Sequence, residues 1–113
     1  DIDLVDLKNN TEYGGFLEND KTINDFWTIL QEFKPEERLN FIKFVTSVPR
    51  APLQGFQSLE PKFGIRNAGR DLERLPTAST CVNLLKLPDY QDKELLRDKL
   101  LYSINSGARF DLS

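Results

Sequence analysis

Apolar residues recur at helical spacing in three stretches of the chain. Ile23, Phe26, Trp27, Leu30 and Phe33 fall three or four residues apart, which puts them on one face and predicts a helix over about residues 22–33. Thr22, followed three residues later by Asp25, reads as its capping box. A second helix is predicted from Pro35, whose fixed φ suits a first turn. It runs through Glu36 and Glu37, beside the positive end of the helix dipole, to a stop before Pro49. Its apolar residues Leu39, Phe41, Ile42, Phe44, Val45 and Val48 lie on so many sides that heavy burial is expected, with Trp27 and the Phe residues packing against it as core. A third helix is expected after Asp92, a suitable N-cap. It carries Leu96, Leu100 and Ile104 in a line beside Leu101, with Gly107 as its stop.

The segments between these helices are shorter and less regular. Residues 1–20 are polar and interrupted by Asn9-Asn10 and Gly14-Gly15, which predicts an irregular lead-in with one short element. Pro49, Pro52 and Gly55 mark a stiff connecting loop anchored by Phe56 and Leu59, and residues 62–67 suit a short strand. Residues 82–87 form an apolar run closed by Pro88, too short for a helix and therefore a strand, and a last short strand is expected over residues 110–112. Thr77, Ala78, Ser79 and Thr80 make a small, polar, non-periodic approach after Pro76, which reads as a loop leading to Cys81 at the mouth of the 82–87 strand. Helices first, then strands and a further helix, indicate an α+β fold, a small mixed domain with helices packed on a short-stranded sheet.

Composition narrows the function classes. At 113 residues and 13.0 kDa the chain suits one core, with a radius near ~13 Å. A charged share of 29% and the lack of a long apolar run argue against a membrane span. The net charge is −3 and the 15 basic residues are scattered, so the electrostatic footprint of a nucleic-acid binder is missing. The chain contains no methionine, opens on Asp1 without a secretory pattern and shows no internal repeat. Residues 1–113 are therefore expected to be one compact unit cut from a longer protein.

Cys81 is the single cysteine, and there is no histidine. A solitary thiol forms no internal disulfide and suits a reducing compartment, here cytoplasm or nucleus. The residue set lacks the ligands of a structural zinc site and the histidine partner of the usual serine or cysteine hydrolase. A free cysteine is often a small buried hydrophobe, but the polar approach to Cys81 predicts a reachable thiol. A few per cent of an ordinary thiol, pKa ~8.5, is thiolate at neutral pH, which suffices for attack on a thioester, where leaving and entering groups are nearly matched. An amide would be far harder without a base. The residues thus fit acyl transfer between thiols, with a non-covalent binding module or a structural domain carrying an inert thiol as the alternatives.

Leu75-Pro76 through Thr80-Cys81-Val82-Asn83, then Leu87-Pro88-Asp89-Tyr90, an amphipathic helix and a phenylalanine near the end resemble the carboxy-terminal lobe of a HECT-type ubiquitin-protein ligase. Asn10-Thr11-Glu12-Tyr13 with Gly14-Gly15, Phe26-Trp27, Phe44-Val45-Thr46, and Pro49-Arg50-Ala51-Pro52 with Gly55-Phe56 follow in the family's order, so the resemblance covers nearly the whole chain. It implies that Cys81 accepts ubiquitin as a thioester from a ubiquitin-conjugating enzyme and yields it to a lysine of a protein substrate. It implies supporting roles for Thr80 and Asn83 in the Thr-Cys-x-Asn run, in orienting the loop or donating to the developing oxyanion. It gives Phe110, the fourth residue from the end, a role in docking on the amino-terminal lobe of the same chain, where the conjugating enzyme is recruited. No cofactor, metal, nucleic acid or membrane is implied. The sequence departs from the family pattern at Ser79, where many members carry histidine, at Ser47, where glycine is common, and at Val82, where phenylalanine is frequent. The base for the attacking lysine stays unassigned; Asp89, Asp92 and Asp111 qualify by charge alone, and exposure or helix capping explains such acids equally well.

Overall fold

In a computed structural model describing residues 1–105, the three periodic stretches are helices. In chain order the elements are α1 (Leu4–Asn9), β1 (Glu12–Gly14), α2 (Lys21–Glu32), α3 (Pro35–Thr46), β2 (Gly64–Asn67), β3 (Thr77–Ser79), β4 (Leu84–Leu87) and α4 (Lys93–Asn105), with single 3-10 turns at Phe56–Ser58 and Thr80–Val82. The strands form one four-stranded sheet in the order β1-β2-β4-β3, parallel except for the antiparallel β3–β4 pair. This is the α+β arrangement expected, helices on a short-stranded mixed sheet. The anticipated strand over residues 110–112, the stop at Gly107 and the position of Phe110 lie outside the described residues.

The apolar face of α2 buries Ile23, Phe26, Trp27, Ile29 and Leu30, and α3 adds Phe41, Ile42 and Val45. Phe26 meets Trp27 edge-on at 4.9 Å and Phe41 at 5.6 Å, and Phe41 meets Phe63 at 6.0 Å, so the aromatic residues are core, as the spacing predicts. One side of the sheet closes this core through Ile65, Leu85, Leu87 and Ala78. The residues alternating with them, Gly64, Arg66, Leu84, Lys86, Thr77 and Ser79, take the other side, as the two-residue period of a strand requires. Phe56 is buried and Leu59 half-buried, which anchors the proline-rich loop.

Five expectations are corrected. The first twenty residues hold a helix and a strand, not one element: Asp3 caps α1 by accepting from Asp6 N–H at 3.0 Å, and β1 pairs with β2. Thr22 is not part of a capping box, because α2 begins a residue earlier after Asp20. Its hydroxyl is buried and donates to Asp89 Oδ1 at 2.6 Å while accepting from Gln91 N–H at 3.0 Å. Residues 77–79 are an edge strand and not loop, and the strand foreseen from residue 82 starts at Leu84 because a 3-10 turn occupies Thr80–Val82. The α3 and α4 expectations hold more closely. Pro35 opens α3, Lys34 N–H donates to the Glu37 carboxylate at 2.8 Å, and Asp92 caps α4 by accepting from Leu95 N–H at 3.1 Å. Val48 lies beyond the end of α3 and is exposed.

The link from β4 to α4 is held from several sides. Tyr90 is buried and its hydroxyl donates to the Arg74 carbonyl, and burial raises the pKa of this phenol well above the ordinary tyrosine value. Ser103 of α4 donates to the Pro76 carbonyl at 3.1 Å, so the start of β3 is tied to the last helix.

Candidate active site

Cys81 sits at the middle of the 3-10 turn that joins β3 to β4, and its thiol is free and exposed. An antiparallel pair can be joined by so short a connection only if the chain reverses within a few residues. Asn83 performs the reversal: it adopts the left-handed conformation, φ 55° and ψ 43°, which asparagine tolerates better than most side chains. Its N–H points to the Thr80 carbonyl at 3.5 Å, and its own carbonyl accepts from Gly64 N–H at 3.0 Å, extending the β2–β4 ladder to the turn.

The Asn83 side chain is buried, and its amide donates to the Pro61 carbonyl at 2.8 Å. The turn carrying the thiol is therefore braced against the segment that enters β2. Thr80 is half-buried on the near side of Cys81, and Val82, 45% exposed, leaves the far side open. The structure thus brings Thr80, Cys81 and Asn83 together on one turn. One N–H of the Asn83 side-chain amide is thus engaged with the Pro61 carbonyl.

Beside the turn lies a cleft of about 290 Å³ between the end of α3 and the proline-rich loop, reaching Asn83. Its walls are largely apolar, including Val48, Leu53 and Phe56, with Arg50 among the lining residues. Ser47, just after α3, is left-handed with φ 69°, which accounts physically for the glycine common at that position. Among the described residues no group of three His, Cys, Asp or Glu side chains is placed to hold a metal ion, and no helix is long and apolar enough to cross a membrane.

The model of the HECT-domain (ubiquitin-transferase) family matches residues 1–113. The chain belongs to that family. The chain is 76% identical over 112 residues to the E3 ubiquitin-protein ligase HUL5 of Saccharomyces cerevisiae, a match taking in 99% of this chain and 12% of that protein. It is 44% identical over 139 residues to the human ubiquitin-protein ligase E3B, covering all of this chain and 13% of the human protein. With the Xenopus laevis E3 ubiquitin-protein ligase HACE1 it shares 40% identity over 114 residues, 96% of this chain and 12% of that protein. The chain therefore spans about an eighth of the length of these HECT relatives.

Two acids considered from the sequence are far from the thiol in this HECT chain. Asp89 and Asp92 follow the end of β4 opposite to Cys81, so the full length of a four-residue strand separates them from the turn, roughly 13 Å or more. Asp89 is committed to Thr22 and Asp92 to the start of α4. Asp111 lies outside the described residues.

Sequence reasoning singled out Asn83 but not its partner, the Pro61 carbonyl, because nothing in the intervening residues signals a contact 22 positions apart. Asn83→Ala loses that hydrogen bond and places a β-carbon residue without local compensation in the left-handed region, and is expected to destabilise the domain by about 2–3 kcal/mol. Asn83→Gly, which keeps the backbone freedom, should recover about 1 kcal/mol of this. Urea denaturation of the three proteins checks the order. Equal stability of Asn83→Ala and the parent would contradict the bracing role.

Proposed function

We propose that this chain is the catalytic carboxy-terminal lobe of a ubiquitin-protein ligase and that Cys81 carries ubiquitin as a thioester. The observation that carries the reading is the free, exposed thiol at the apex of a braced hairpin turn in a chain of the HECT-domain (ubiquitin-transferase) family. In the first step the Cys81 sulfur attacks the thioester carbonyl of ubiquitin held on the cysteine of a conjugating enzyme. The bond from that carbonyl carbon to Cys81 forms, the bond to the donor sulfur breaks, and the donor thiolate takes up the proton that Cys81 gave up. In the second step a substrate lysine attacks the same carbon; the C–N bond forms, the C–S bond to Cys81 breaks, and the proton released by the amine returns to the thiolate.

Thioester exchange has nearly matched leaving groups, so placing the thiol matters more than depressing its pKa, and a rigid turn supplies placement. Transfer to lysine runs downhill because an amide replaces a thioester. Neither step calls for a cofactor. Thr80 and Asn83 hold the turn, and Phe110 docks this lobe on the amino-terminal lobe of the same chain during lysine transfer. That lobe recruits the conjugating enzyme, and joining the two raises the effective concentration of Cys81 at the donor thioester. A thiol used this way must stay reduced, which suits a ligase of the cytoplasm or nucleus.

A single-turnover time course of the full-length ligase with ubiquitin-charged conjugating enzyme tests the order of events. A reductant-labile ubiquitin adduct should rise before modified substrate appears. Phe110→Ala should keep most of the adduct and lose most lysine transfer. Substrate modified without any adduct, or both steps of Phe110→Ala falling together, would contradict the scheme.

A further inference from the structure

The solvent side of the sheet carries an arrangement that neither the core nor the thiol chemistry uses. Arg66 of β2 and Lys86 of β4 are direct partners in the parallel register, next to each other across the two central strands. Ile65 and Leu85, the residues before them, are fully buried, so Arg66 and Lys86 both belong to the outer face. Like charges placed opposite each other in a sheet are destabilising. Among the described residues neither is in an ion pair; the acids that do pair are Asp1, Asp25, Glu32 and Glu94. Glu12, the nearest acid in the register, sits one row away opposite Gly64.

Glycines make room for this pair. A β-carbon on Gly14 would lie 3.7 Å from Arg66 Cγ, so the arginine stem covers β1, on the side away from Lys86. A β-carbon on Gly64 would come within 3.1 Å of Leu84 Cδ1, so Leu84 lies flat over β2 in the neighbouring row. The outer face therefore presents two cations in one row and Leu84 with Ser79 in the next, with Glu12 at the far, β1 end of that second row, and the Leu84–Ser79 end leads directly into the turn of Cys81.

We propose that this face receives an acidic segment of the protein substrate and thereby favours lysines that have Asp or Glu a few residues away. The inference rests on the thioester role of Cys81 and adds a sequence preference at that site. An occupant with carboxylates is the one that matches this row of two cations by charge complementarity. A nucleic acid is disfavoured by the net charge of −3 and the apolar Leu84 beside the pair. Lys86 lies two residues along β4 from Leu84 and five in sequence from Cys81, roughly 10–15 Å from the thiol turn at strand spacing. An extended peptide with its acceptor lysine at Cys81 covers that distance in about three to five residues.

The test uses the full-length ligase and two peptides with one acceptor lysine each, identical except that one carries Asp and Glu three to five residues from the lysine and the other Asn and Gln. Transfer to the acidic peptide is expected to be about three- to tenfold faster in kcat/KM, the range that one exposed and one half-buried charge pair support, and the advantage should shrink with added salt. In the Arg66→Glu/Lys86→Glu double variant the preference should vanish or pass to a third peptide with Lys and Arg at those positions, while the thioester on Cys81 forms at the parental rate. Equal transfer to all peptides with normal thioester formation would overturn the inference and leave the thioester reading standing. A double variant slowed in thioester formation would overturn it too, by assigning the face to the donor complex. Failure of the parent to form any thioester would remove both.

Discussion

Cys81→Ser is expected to cut ubiquitin transfer by more than about a thousandfold while leaving the thermal midpoint within about 2 °C of the parent. The two halves of this expectation have separate causes. The thiol is exposed and sits in a turn held by the backbone and by Asn83, so exchanging sulfur for oxygen disturbs neither the core nor the brace. The hydroxyl, by contrast, is almost never ionised near neutral pH and has no histidine in the chain to act as its base. Any ubiquitin that does reach the substituted hydroxyl would be held as an oxygen ester. Such an adduct resists thiol reductant and is a poorer donor to lysine, so it should accumulate slowly while product does not. Gel analysis with and without reductant, beside a calorimetric scan, checks both halves. A shifted midpoint would mean that the residue serves packing, and retained transfer would mean that the carrier lies elsewhere.

Phe41→Ala is expected to destabilise the domain by about 3–5 kcal/mol, the range for a buried phenylalanine whose cavity refills only partly. Phe41 is 1% exposed and touches rings on two sides, Phe26 of α2 and Phe63 just before β2. Its removal therefore loosens the packing between the α2–α3 pair and the start of the central strand β2. Small domains have about 5–15 kcal/mol in total, so the variant should stand near the edge of folding at 37 °C. In urea the midpoint should fall with little change in slope. Phe41→Leu, which refills most of the volume, should lose less than half as much. A loss under about 1 kcal/mol for the alanine variant would show that the aromatic cluster is not the centre of the core.

The helices were legible because each has enough turns for a 3.6-residue pattern to repeat. Ile23, Phe26, Trp27 and Leu30 declare one face several times over, and the structure buries all four. β1 and β3 were not legible, since three residues are too few for an alternation to repeat and each strand has a single inward position. In β3 that position is Ala78, flanked by half-buried Thr77 and Ser79, a composition that reads as loop until the pairing with β4 is seen. Thr22 misled for a related reason: threonine before an apolar run suits a cap, yet its hydroxyl serves Asp89, 67 residues away. Cys81 stood out as the one thiol in the sequence, and it is exposed because a 3-10 turn carries it, not because the residues before it form a loop. The brace from Asn83 to Pro61 and the pairing of Arg66 with Lys86 depend on strand register, which the residues alone do not display.

The decisive measurement is intact-mass analysis of the protein after mixing with ubiquitin-charged conjugating enzyme, with and without prior alkylation of the thiol. With Cys81 as the carrier, one ubiquitin-sized adduct is expected that thiol reductant removes, that maps to the peptide containing Cys81, and that alkylation of Cys81 prevents. An adduct that survives both reductant and alkylation, or one that maps to another residue, would contradict the assignment of Cys81.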